Sequence, residues 1–151
     1  MTSQIKPRSF MRTSVLATAS LALALGGTAA MAGPASAAAP TVTVTPSSNL
    51  SDGTKVSVAA TGLAANTPVF ITECAQVAGG TVVCNDADVK TTGTSGDGKV
   101  APTSVTVRKT FKGFTPDHKA WGTVNCSTAP NGCVIGVSGE SIAARADITF
   151  K

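Results

Sequence analysis

Past residue 40 the chain changes between apolar and polar side chains in short runs. Thr41-Val-Thr-Val-Thr45 and Thr54-Lys-Val-Ser-Val58 switch character at every position, the period of a strand with one buried face. Val69-Phe-Ile-Thr72, Val105-Thr-Val-Arg108, Val134-Ile-Gly-Val137 and Ala146-Asp-Ile-Thr-Phe150 supply further strand-length runs rich in β-branched residues. Turn signals stand between them, at Ser51-Asp-Gly53, Gly79-Gly80, Ser95-Gly-Asp-Gly98 and Asn131-Gly132. No helical period is sustained. Short strands punctuated in this way predict an all-β fold, an antiparallel sandwich.

The first 37 residues read as a targeting segment. Lys6, Arg8 and Arg12 precede an apolar run from Val15 to Leu25, which ends at Gly26-Gly27. That run is 11 residues long, whereas a membrane-spanning helix needs about 20. Ala35-Ser-Ala37 gives the small-x-small pattern of a signal-peptidase site, with Ala38 as the mature start and Ala30-Met-Ala32 as a competing site. The expected product is a secreted, membrane-free domain spanning residues 38–151. It has room for one core and is expected to be a monomer.

Export changes the charge argument. Of the 12 Lys and Arg residues, three leave with the signal, so nine remain against 8 acidic residues. No polybasic run survives, and direct nucleic-acid binding loses its electrostatic footprint. All four cysteines lie in the mature part, which fits two disulfides in an oxidising compartment. Three pairings are open. Cys74–Cys84 and Cys126–Cys133 each close a hairpin-sized loop, while Cys74–Cys126 is the inter-sheet alternative. A zinc site would want closely spaced cysteine pairs that this chain lacks, so no metal is expected.

Catalytic chemistry finds little to stand on. The single histidine, His118, lies in the polar stretch Thr115-Pro-Asp-His-Lys119, where Asp117 is a possible orienting partner. No G-x-S-x-G elbow supplies a nucleophile. Asp52, Asp97 and Asp117 sit where turns use Asp for backbone hydrogen bonding. The glycine-rich stretches lack the Lys-Ser/Thr continuation of a phosphate loop. Arg108, Lys109 and Lys112 read as a solvated strand face and turn. The reading is a non-enzyme with no cofactor.

One further set of motifs is specific. Ala38-Ala-Pro-Thr41, Val44-Thr-Pro-Ser-Ser-Asn-Leu-Ser-Asp-Gly-Thr54, Glu73-Cys-Ala75 and Cys84-Asn85 are joined by Val107-Arg-Lys-Thr-Phe-Lys-Gly-Phe114, Trp121-Gly-Thr-Val-Asn-Cys126 and Ser127-Thr-Ala-Pro-Asn-Gly-Cys133. With Ile148-Thr-Phe150 they make residues 38–151 resemble the neocarzinostatin family of enediyne chromoprotein apoproteins. The resemblance implies a seven-stranded immunoglobulin-like sandwich with a small two-stranded ribbon and a ligand cleft between them. It implies the local disulfides Cys74–Cys84 and Cys126–Cys133, the first on the cleft floor. It also implies a carrier that shelters an apolar, reactive chromophore non-covalently. DNA would be met only through the released ligand.

Carried over position by position, the resemblance puts Phe70, Thr72, Cys74, Gln76, Val82, Cys84, Val89, Pro116, Val134, Gly136 and Ser138 at the ligand. Alternation agrees independently for two strands. With Val69, Ile71, Ile135 and Val137 in the core, Phe70, Thr72 and Cys74, and likewise Val134, Gly136 and Ser138, face the other way. The chain departs from the family in carrying Gln76, Val89 and Pro116 where members often have aromatics, and the segment after Ser138 is short. Phe70 is the candidate replacement aromatic. The alternative function is an immunoglobulin-like extracellular interaction module without a small-molecule ligand, and a secreted hydrolase using His118 is the third.

Overall fold

The computed structural model describes residues 39–139 and 142–151; the expected signal segment and its cleavage site lie outside them. Among the described residues ten strands form two antiparallel sheets. The smaller holds β1 (Thr41–Thr45), β2 (Lys55–Thr61) and β6 (Val100–Thr106) in the order β1-β2-β6. The larger contains β3 (Pro68–Gln76), β4 (Val82–Asn85), β5 (Lys90–Gly93), β7 (Thr110–Phe114), β8 (Ala120–Asn125), β9 (Cys133–Ser138) and β10 (Ile142–Ile148). Its order is β10-β9-β3-β4-β7-β8, with β5 also paired to β3.

The nine-residue β3 organises this sheet because its two halves have different partners. Residues 68–71 pair with β5, and Cys74 to Gln76 pair with β4. Strands β10, β9, β3 and β5 therefore back the three-stranded sheet, making a seven-stranded sandwich. Strand β4 leads away to the β7–β8 ribbon. The expected architecture is present, with β4 as an extra strand that ties the ribbon to the sandwich.

Alternation builds the core. Val56 and Val58 on β2, Val69 and Ile71 on β3, Val105 on β6, and Ile135 and Val137 on β9 are all nearly or fully buried. Each such side chain contributes about 1.5–3 kcal/mol of burial. Strand β4 and the ribbon continue the same core with Val83, Phe111 and Val124. Gly113 makes its close approach possible, because a Cβ there would lie 2.8 Å from a Val124 methyl carbon and 3.1 Å from one of Val83.

Boundaries differ from the periodic runs at two ends. Strand β6 starts at Val100 and stops at Thr106, so Arg108 is not in it; its N–H bonds the Glu73 carboxylate instead, at 2.9 Å. Strand β10 stops at Ile148, and Phe150 forms an isolated bridge to Leu50. The cysteines pair Cys74–Cys84 and Cys126–Cys133.

Candidate functional site

Strand register gathers nine of the eleven candidate residues onto one sheet face. On β3 and β9, Phe70 lies opposite Ser138, Thr72 opposite Gly136, and Cys74 opposite Val134. On β4, Val82 lies opposite Gln76 and Cys84 opposite Cys74. Each partner pair shares a face, and the inward neighbours Val69, Ile71, Val83, Ile135 and Val137 are at most 2% exposed. Phe70 is 45% exposed, and only Trp121 joins it among the large hydrophobics described as exposed. The Cys74–Cys84 bridge lies on this face between directly paired residues.

Two candidates are placed by turns rather than by pairing. Val89 follows the 3-10 turn at 86–88, and Pro116 sits in the β7–β8 turn. His118 in that turn reaches back to Asp86, with Nδ1 3.0 Å from Oδ2, so the two turns meet. The partner of His118 is thus Asp86. Asp117 instead accepts from Thr115 Oγ1 at 2.6 Å and pairs with Lys119. The His118 side chain is otherwise exposed.

Three residues of the face were not singled out from sequence. Phe114 pairs with Cys84 and lies half-buried beside the bridge; alternation from buried Phe111 and Gly113 is the signal that would have found it. Arg145 lies opposite Gly136 and Asp147 opposite Val134. With Cys74, Gln76, Val82 and Asn131 they line a recess of about 110 Å³. Asn131 donates to Gln76 Oε1 at 2.7 Å and closes one end of it. A larger open groove of about 640 Å³ runs beside Ala59, Thr61, Gly93, Ala101 and Pro102, and contains none of the candidates. Thr61, Thr94, Ser95 and Lys99 give it a polar part, but no aromatic side chain lines it.

Behind the face stands a buried carboxyl. Glu73, 2% exposed, points away from the candidate face. Burial pushes its pKa up to about 7, against the Arg108 N–H and Asn85, which favour the charged form; Asp88 and Asp52 reinforce the rise. Asp88 takes hydrogen bonds from Asn85 Nδ2 at 3.1 Å and Arg108 Nε at 3.2 Å. The network ties β3 to the ribbon's root. The nearby sulfurs of Cys126 and Cys133 belong to a disulfide and offer no thiolate to a metal.

Known proteins match this chain along most of its described length. The model of the Neocarzinostatin family matches residues 42–150. Apokedarcidin from an Actinomycete sp. is 41% identical over 61% of this chain and 80% of its own. The antitumor antibiotic C-1027 apoprotein of Streptomyces globisporus is 40% identical over 79% of this chain and 82% of its own. Among solved structures, macromomycin superposes with a TM-score of 0.69 at 34% identity, covering 75% of this chain and all of that one. With the family model, the sequence identities and the superposed structure in agreement, the chain belongs to the neocarzinostatin family.

Proposed function

We propose that this chain is an exported carrier apoprotein that holds an apolar, polyunsaturated chromophore of enediyne type against the outer face of β3 and β9, and that it catalyses no reaction. The released ligand, not the protein, would damage DNA. The observation that carries the reading is the row of exposed Phe70, half-buried Thr72 and buried Cys74 beside half-buried Ser138, Gly136 and Val134, on the opposite face of the sheet from the core in a chain of this family. Such a face offers a flat ligand an apolar bed, with disulfide sulfur and glycine backbone where bulky side chains would otherwise stand. The recess of about 110 Å³ admits one substituent, and the rest of the ligand would lie along the face.

Titration with a fluorescent anthracene probe tests this. Phe70→Ala should weaken binding by about 1–3 kcal/mol through lost burial and stacking, with the thermal transition unchanged. Equal probe affinity in Phe70→Ala and the parent would count against the site and move the interaction-module reading ahead.

A further inference from the structure

Phe70 and Phe114 are the aromatic side chains of the candidate face, and one planar cation stands on the same face beyond β9. Arg145 lies opposite Gly136, which itself lies opposite Thr72. At Gly136 a Cβ would meet only the Thr72 carbonyl oxygen, at 3.9 Å, so the backbone there is the floor of an open slot. Arg145 forms one wall, and its side chain reaches the recess shared with Cys74 and Val134. Among the described residues it makes no ion pair within 4.0 Å, Asp147 two positions along included. Its guanidinium is therefore not committed to a described carboxylate. A guanidinium is flat, weakly hydrated for a cation and attracted to the face of a π-system, which a lysine ammonium matches poorly in shape.

We propose that Arg145 is the specificity-determining residue of the cleft: its guanidinium lies over the slot at Gly136 and selects a flat, electron-rich π-ligand over a saturated one of equal size. This rests on the carrier reading and deepens it. The slot would take a ring edge-on to Thr72, with the Gly136 backbone beneath and the guanidinium plane against the ring. Asp147, Gln76 and Asn131 would keep the recess end polar, suited to a neutral hydrogen-bonding substituent.

The experiment compares the full mature chain with Arg145→Lys and Arg145→Gln. The probes are 9-anthracenemethanol, its perhydrogenated analogue as competitor, and anthracene-9-carboxylate. For the parent, the aromatic probe should bind more tightly than the saturated competitor. Arg145→Gln should weaken the aromatic probe about three- to tenfold and leave the saturated competitor unchanged. Arg145→Lys should recover only part of that loss. Equal losses for aromatic and saturated ligands would overturn the proposal by showing bulk packing alone. Strong preference for the carboxylate, with Arg145→Lys as good as the parent, would also overturn it, since the residue would then act as a point charge. Gly136→Val serves as the cleft control. If it abolishes probe binding while Arg145→Gln has no effect, this inference falls and the carrier reading stands; if neither variant matters, the carrier site itself is misplaced. Thermal melts of each variant establish that the exposed substitutions leave the fold intact.

Discussion

Replacing Glu73 by Gln removes a titrating group from between the sandwich and the ribbon while keeping an oxygen for the Arg108 N–H. The carboxyl is 2% exposed, and desolvation lifts its pKa from 4.5 to about 7 in the folded chain. The folded state thus binds more protons than the unfolded state between those values. For a raised carboxyl pKa the associated stability is full below the unfolded value and is lost as pH rises through the folded one. The difference corresponds to about 3 kcal/mol between pH 4.5 and pH 7 and beyond. Asp97, held at about 2 by Lys99 and Ser95, and Asp117, lowered by Lys119 and Thr115, act below that window. Urea unfolding of the parent and Glu73→Gln, measured from pH 4.5 to pH 8, reads the effect. The parent should lose stability with rising pH across the window, and the variant should lose much less. Parallel profiles for the two proteins would refute the buried-carboxyl argument.

Three further outcomes follow from packing. Val137→Ala empties a fully buried position and should cost about 2 kcal/mol in chemical denaturation with probe affinity nearly unchanged. Gly136→Val meets no side chain within 4 Å, so its thermal transition should stay near the parent's while anthracene binding falls at least about tenfold, from the burial and stacking forfeited. Gly113→Ala forces a methyl to within 2.8 Å of Val124 and should cost about 1–3 kcal/mol by overpacking the ribbon, seen as a lower melting temperature.

The strands that alternate over a one-sided core were legible because burial fixes the period. Val56 and Val58, or Ile135 and Val137, could only face inward together. That same alternation located Phe70, Gly136 and their row. Strands β4, β5, β7 and β8 left weaker marks. Lys90-Thr-Thr-Gly93 and Ala120-Trp-Gly-Thr-Val-Asn125 are mostly exposed, so pairing with neighbours, not a hydrophobic period, makes them strands. Strand β7 does alternate, which turns Phe114 away from buried Phe111 and Gly113, but its place beside Cys84 is known only once β4 meets β7. Arg145 and Asp147 carry no local signal at all, because their role depends on standing across from Gly136 and Val134. Glu73 stands one residue past the Val69–Thr72 run and enters the sequence reading only through the Glu73-Cys-Ala75 motif; three-dimensional packing shows that it is sealed beneath the Arg108 backbone.

The carrier account meets its most direct test in the native protein purified from the culture medium of its producing organism. One tryptophan and no tyrosine leave the bare chain without absorbance beyond the tryptophan band. The account predicts additional near-ultraviolet or visible absorbance that copurifies with the protein, moves into an organic solvent on mild extraction, and leaves behind an intact, folded apoprotein. Native protein whose spectrum is that of tryptophan and disulfides alone, with nothing extractable, would contradict it.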